Sequence, residues 1–276
     1  MSVTFIGGGN MATALIGGLI ARGRPAAAFH VVEPLAEQRE RLTARFPGIV
    51  VHSQVEATAI EGAELILLAV KPQKMREAAS ALAPLLARGG APVVLSIAAG
   101  IRLVDIGRWL GGYPRLVRAM PNTPALIGRG TSGVFAAPGT DQAGRALASE
   151  ALAAAGDVVW VDDEPMLDAI TGVTGSGPAY VFYFLEALEQ AAIDLKFEPA
   201  VARQLAYATV AGAIELAQQS EHAPSTLRAQ VTSEGGTTQR ALAVMEEGEV
   251  KTMIIAAVRA ATERARELGD AFGAQG

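Results

Sequence analysis

Three observations predict an α/β chain: an N-terminal Rossmann-type doubly wound sheet followed by an all-helical C-terminal dimerisation domain. A glycine cluster, Gly7-Gly8-Gly9, stands between a short apolar strand and a helix. Apolar runs of strand length then alternate with helical stretches as far as Val161. From Asp163 onward only helical spacing remains. The expected boundary therefore divides a sheet domain, residues 1–161, from a helical domain, residues 162–276.

Val3-Thr4-Phe5-Ile6 opens the chain as a strand, and Asn10–Arg22 follows at helical spacing. In that setting Gly7-x-Gly9-x-x-Ala12 is a dinucleotide fingerprint. Gly7 permits the sharp turn, Gly9 lets a pyrophosphate approach the backbone, and small Ala12 lets helix and strand pack closely. The free N–H groups at the helix start, with the positive end of its dipole, are expected to hold the phosphates, and Gly8, Asn10 and Met11 join Gly7, Gly9 and Ala12 as candidate cofactor contacts. Phe29-His30-Val31-Val32 is a second buried strand, ending at Glu33. Glu33 stands about two dozen residues past the glycines, where a carboxylate accepts from the adenosine ribose hydroxyls. A carboxylate there favours NAD(H) by repelling the 2′-phosphate of NADP(H), but Arg39 and Arg41 follow closely enough to offset it. The expected cofactor is NADPH or NADH.

Leu35–Phe46 continues as a helix and Ile49-Val50-Val51 as a short strand. Ser53-Gln54-Val55-Glu56 fits a capping box, which gives Glu56 a structural task. Glu64–Val70 is a continuous apolar run of the kind buried on both faces of a parallel sheet. It ends in Lys71-Pro72, where proline biases Lys71 towards extended geometry. Pro92–Ile97 is the next strand, followed by Ala98-Ala99-Gly100, and Leu116–Met120 runs into Pro121-Asn122-Thr123-Pro124. Open α/β sheets bind ligands at the carboxyl ends of their strands. Ala69, Val70, Lys71, Pro72, Ser96, Ala98 and Asn122 are therefore candidate cofactor contacts. Thr131–Phe135, an Ala-rich helix over Asp141–Ala155, and Val158–Val161 complete the sheet domain.

In the helical half, Phe182, Leu185, Leu188, Ala192 and Leu195 recur at helical spacing, as do Leu205, Val210, Ala213 and Leu216. Its few aromatics give a thin core, which a second subunit would complete. Two glycine-rich segments interrupt it, Thr174–Tyr180 and Gln230–Thr238. In the second, Gly235-Gly236 is expected to present backbone N–H groups where Thr237 and Thr238 open a helix. That is a nest suited to a carboxylate, or equally a helix cap after a hinge.

Composition excludes several classes. The net charge is −5 with no basic block, which argues against nucleic acid as the main partner. Cysteine is absent, so disulfides, thiolate metal sites and cysteine nucleophiles are excluded. Three histidines without an HxxxH-type pair argue against a metal enzyme. The N-terminus enters a strand directly and no apolar span reaches about 20 residues, so a membrane span is not expected. A cytoplasmic location is the default.

Phe5–Ala12 (FIGGGNMA), Ala69–Pro72 (AVKP), Ser96–Gly100 (SIAAG), Arg118–Pro124 (RAMPNTP), Gly175–Tyr180 (GSGPAY) and Val231–Thr238 (VTSEGGTT) occur in order. Together they resemble pyrroline-5-carboxylate reductases, from Met1 to about Leu268, and the last two make the resemblance specific. Two departures stand out. Glu234 replaces a proline usual ahead of the paired glycines, and Glu33 stands where many relatives place a small polar residue to receive the NADPH phosphate. The resemblance implies hydride transfer from reduced nicotinamide to the imine carbon of 1-pyrroline-5-carboxylate, which becomes C5 of L-proline. It also implies an interleaved homodimer, often built into a larger ring of dimers. Carried onto matching positions, Ser233, Gly236 and Thr237 would hold the substrate carboxylate and Thr238 would hydrogen-bond the ring nitrogen. Glu221 resembles an acidic position that orients the substrate or its loop. Glu164 is expected either to face the same pocket or to help start the helix near Pro165.

The residue chemistry is compatible with that activity. A cyclic imine nitrogen is basic enough to carry a proton near neutrality, so positioning supplies most of the rate and no acid–base dyad is required. Two other readings stay open at this point: a β-hydroxyacid dehydrogenase or related imine reductase, and a non-catalytic dinucleotide-binding regulator. The first wants a base at an alcohol, and Lys196 and Lys251 lie in no recognisable catalytic motif. The second has no need of a carboxylate nest.

Overall fold

A computed structural model describes residues 1–274. Its first compact unit comprises Met1–Ser176 together with the chain from Ala260 onward, and its second is Gly177–Arg259.

The first unit is built on one eight-stranded sheet. The strands are β1 (Val3–Ile6), β2 (Phe29–Val32), β3 (Val50–His52), β4 (Leu65–Leu68), β5 (Val93–Ser96), β6 (Leu116–Met120), β7 (Gly130–Ala136) and β8 (Gly156–Trp160). They lie in the order β3-β2-β1-β4-β5-β6-β7-β8, parallel throughout except for the antiparallel β6–β7 pair. Helices α1 (Asn10–Ala21), α2 (Ala36–Arg45), α3 (Ala57–Ile60), α4 (Pro72–Leu86), α5 (Leu103–Trp109), α6 (Gln142–Ala153) and α7 (Met166–Ile170) connect them.

The fully apolar β4 shows why no alternation appears in its sequence. Leu65 and Leu67 join a core with Leu15, Ile16 and Leu19 of α1, while Ile66 and Leu68 join a second core with Met75, Ala79 and Leu82 of α4. A strand covered on both faces needs apolar side chains at every position. The strand order reverses between β1 and β4, which makes the crevice beyond their carboxyl ends the ligand-binding edge of such a sheet. Register places Val32, Ile6, Leu68, Ser96 and Arg118 level across that edge.

Two expectations are corrected. The boundary placed after residue 161 falls later: α7 stays with the sheet, its Leu167 and Asp168 buried, and the C-terminal part of α12 (Val250–Ala274) also joins this unit. There Phe272 packs on the second core and Asp270 pairs with Arg102 at 2.7 Å. The capping box at Ser53–Glu56 does not form. Glu56 is itself the N-cap residue of α3, without a side-chain cap bond, and its carboxylate lies 3.0 Å from His52 Nδ1 instead. The His52 ring, fixed 3.1 Å from His30 Nδ1 on the neighbouring strand, offers the carboxylate a hydrogen-bonding partner nearer than the helix backbone.

The second unit contains α8 (Gly177–Asp194), α9 (Pro199–Gln219), α10 (Pro224–Gln230), α11 (Thr237–Glu247) and the start of α12. The Thr174–Tyr180 segment does not break the helices. It passes through a wide π-turn at Thr171–Gly175 into α8. Ala202 and Ala206 are buried, which lets α9 approach α8 closely, and Arg203 on α9 pairs with Glu189 on α8 at 3.0 Å. Yet α8 has no buried residue, and Phe182, Tyr183 and Phe184 are 59%, 77% and 49% exposed. A helix of this length draws its stability from a covered apolar face, and here that face is uncovered within one chain. Among the described residues no helix is long and apolar enough to cross a membrane.

Candidate active site

The turn after β1 has the geometry of a pyrophosphate cradle. Gly7 has φ +104°, and a Cβ there would lie 2.7 Å from the Ala69 carbonyl oxygen, so only glycine fits. Gly8 is packed against Leu42 of α2, 2.6 Å from where its own Cβ would stand. At Gly9 an added Cβ would meet nothing within 4 Å, which leaves open space directly over the start of α1. Gly9 is the N-cap residue of α1 and no side chain caps that helix. The N–H groups of its first turn, starting at Asn10 and Met11, therefore have no intrahelical partner. Ala12 is fully buried against the sheet. Open space, free donors and the dipole at one place fit a dinucleotide pyrophosphate.

Around this turn the structure gathers Glu33 and Ala69. Glu33 Oε2 accepts from Gly8 N at 3.0 Å and its Oε1 from Leu35 N at 3.0 Å. Gln38, which the sequence did not single out, donates to the Gly8 carbonyl at 2.6 Å. Nothing in its spacing marks that role, because the contact closes across a 30-residue separation. Val70 is half-buried beside Ala69, Lys71 is the exposed N-cap residue of α4, and Pro72 is the first residue of that helix.

The remaining sheet-edge candidates are tied into the fold. Ser96 is buried, its Oγ accepting from Ala98 N at 3.3 Å, and Ala98 belongs to the second core. They form the floor of the edge, where the Ser96 hydroxyl keeps its own donor. Asn122 donates to the Thr174 carbonyl at 3.0 Å and accepts from Thr131 N at 2.8 Å, which staples its loop.

Glu164 is engaged within the first unit. Its Oε1 accepts from Leu103 N at 2.8 Å, at the start of α5, and from Arg118 Nη1 at 2.9 Å. Arg118 is 3% exposed and also faces Asp168 at 3.6 Å. This buried charge cluster ties β6, α5 and α7 together, and the Glu164 backbone carbonyl accepts from Leu167 N at 2.9 Å, which helps start α7 as expected.

In the second unit, the loop ahead of α11 is arranged differently from the expected nest. Gly235 has φ +72° and its N–H donates to Gln239 Oε1 at 2.7 Å, while Gly236 N–H donates to the Ser233 carbonyl at 3.1 Å. The glycine donors are therefore internally satisfied. Gly236 is the N-cap residue of α11, no side chain caps the helix, and neither threonine plays that part. The donors available to an anion are those of the first helical turn, beginning at Thr237 and Thr238. Ser233 Oγ lies 2.6 Å from where a Gly236 Cβ would stand, so glycine keeps that hydroxyl close to the turn. Thr237 and Ser233 are exposed and Thr238 is half-buried. Glu221 is exposed in the loop before α10.

A reversing parallel sheet with a glycine-only turn, joined to a helical unit with an uncovered apolar face, defines a Rossmann-type dinucleotide-binding oxidoreductase. Residues 164–268 match the family model described as pyrroline-5-carboxylate reductase dimerisation, and residues 2–100 match one described as NADP oxidoreductase, coenzyme F420-dependent. The chain is 41% identical to a pyrroline-5-carboxylate reductase of Pseudomonas aeruginosa over 98% of both chains. It is 39% identical to one of Haemophilus influenzae, again over 98% of both. The solved structure of a pyrroline-5-carboxylate reductase from Coxiella burnetii is 37% identical, covers 97% of this chain and 98% of its own, and superposes with a TM-score of 0.91. The chain belongs to the pyrroline-5-carboxylate reductase family.

Proposed function

We propose that the chain reduces 1-pyrroline-5-carboxylate to L-proline, the last step of proline biosynthesis, with NADPH or NADH. Family membership over nearly the full length carries this reading, and the two helix N-termini without side-chain caps support it. When bound, a reduced nicotinamide would supply a hydride to the imine carbon, which becomes C5 of the proline product. The first-turn N–H groups of α1 hold the pyrophosphate and Glu33 accepts from the ribose. The helix start at Thr237, with the Ser233 hydroxyl and the turn at Gly236, holds the substrate carboxylate. The Thr238 hydroxyl accepts from the protonated ring nitrogen and fixes which face of C5 is presented. After transfer the nitrogen keeps that proton and gains a second from water, so Thr238 need not act as an acid. Glu221 orients the loop beside the substrate. Glu164 has no substrate contact in this reading.

The same proposal includes a homodimer through the exposed faces of α8 and α9, its assembly into a ring of dimers, and a cytoplasmic place of action. Purified protein mixed with 1-pyrroline-5-carboxylate and a reduced nicotinamide is expected to lose the reduced-nicotinamide absorbance. Thr238→Ala is expected to lower kcat/KM about 10- to 100-fold, the value of one hydrogen bond to a charged group, with cofactor Kd unchanged. Absence of decay with either nucleotide, despite nucleotide binding, would remove the assignment.

A further inference from the structure

We propose that this chain selects NADH over NADPH, and that Glu33 with the surrounding start of α2 makes the selection; the inference rests on the reductase reading for the presence of a nicotinamide dinucleotide. Sequence alone leaves the matter open, because Arg39 and Arg41 could neutralise a 2′-phosphate beside Glu33. The structure gives both other partners. Arg39 Nη1 donates to the backbone carbonyls of Glu33 at 2.8 Å and Pro34 at 2.7 Å. Arg41 pairs with Glu37 one turn away on the same helix. Arg45, the remaining arginine of α2, lies over the Phe46 ring, 5.4 Å from its centroid.

The carboxylate itself is fixed at the start of α2. Leu35 is the N-cap residue of that helix, which no side chain caps, and its N–H holds Glu33 Oε1, so the negative charge stands beside the first-turn N–H groups that a second anion would need. The other carboxylate oxygen is held by Gly8 N–H in the cradle itself. Two backbone bonds thus fix the carboxylate, and each oxygen keeps a lone pair for a ribose hydroxyl. A 2′-phosphate would bring about two negative charges against this carboxylate, while Arg39 is anchored through Nη1 on backbone carbonyls and Arg41 is already paired with Glu37. Gly8 tightens the arrangement further, since Glu33 Cβ lies 3.4 Å from where a Gly8 Cβ would stand.

The test is calorimetric titration of the full-length protein with NADH and with NADPH, in the absence of imine substrate. Wild type is expected to bind NADH at least about tenfold more tightly. Glu33→Gln, which keeps an acceptor for Gly8 N–H but loses the charge, is expected to shrink that ratio to about threefold or less. Raising salt from about 0.02 to 0.5 M should also narrow the wild-type ratio, an arm that needs no variant. Equal or tighter NADPH binding by wild type would overturn the inference. So would a preference that survives both Glu33→Gln and high salt. Binding of neither nucleotide would instead overturn the reductase reading.

Discussion

Replacing Glu164 separates a structural from a substrate-binding role. In the folded chain one carboxylate oxygen serves both Leu103 N and Arg118. Glu164→Ala removes both bonds and leaves Arg118, 3% exposed, with only the longer contact to Asp168 at 3.6 Å. Breaking a buried ion pair from one side costs about 3–5 kcal/mol, because the remaining charge stays desolvated. At this chain length 1 kcal/mol moves Tm by about 2–4 °C, so Glu164→Ala should melt about 10 °C early. Glu164→Gln keeps an acceptor for both donors and exchanges a charge-assisted bond for a neutral one, at a cost of about 1–2 kcal/mol. The assay is paired: thermal unfolding by circular dichroism, and KM for the imine measured well below the melting range. The expected result is a graded loss of Tm, alanine below glutamine below wild type, with KM nearly constant. An unchanged Tm in Glu164→Ala, or a KM that rises in Glu164→Gln without a loss of Tm, would refute the reasoning and return Glu164 to the substrate pocket.

Three further perturbations probe other parts of the molecule. Gly7→Ala puts a Cβ 2.7 Å from a backbone oxygen at φ +104°; with roughly 1–3 kcal/mol of backbone strain, it should lower Tm and abolish measurable nucleotide binding in a titration. Phe182→Asp, on a helix with no buried residue, should convert a dimer to monomer by light scattering, and a wild type that is already monomeric would sink the proposed interface. The third concerns pH. Burial, and secondarily the His52 charge, hold His30 below its ordinary value of 6.5. A depressed histidine means that the unfolded chain binds its proton first as pH falls. Stability should therefore decline below about pH 6.5 until the lowered folded value is passed, and His30→Asn should flatten the slope of Tm against pH in that window. A slope equal to wild type would remove His30 as its source.

How legible the site was depended on whether a role is set by the backbone or by competition among partners. The strand–Gly7–helix turn could be read directly, since positive φ and close approach admit only glycine and the flanking periodicity fixes the element types. The continuous apolar run ending at Leu68 announced a strand covered on both faces, and it is one. The domain boundary was less legible. A helix that returns to the sheet, as the part of α12 bearing Phe272 does, carries the same period as one that does not.

Side-chain partners are harder, because several acceptors compete for each donor and only the folded chain decides among them. Glu56 fits a capping box by spacing, but His52 stands four residues earlier and takes its carboxylate. Glu164 carries a charge that suits a substrate pocket, but a buried arginine from β6, 46 residues away in sequence, claims it first. Even the glycine nest followed this rule, with Gln239 satisfying Gly235 and leaving the free donors to the next helical turn. Glu33 illustrates both regimes. Its place at the end of β2 was legible, whereas its hold on Leu35 N–H and the capture of Arg39 by carbonyls were not. The proposed nucleotide choice rests on the second pair of facts. The same carboxylate beside a free Arg39 would leave the 2′-phosphate a partner, and the prediction for NADPH would reverse.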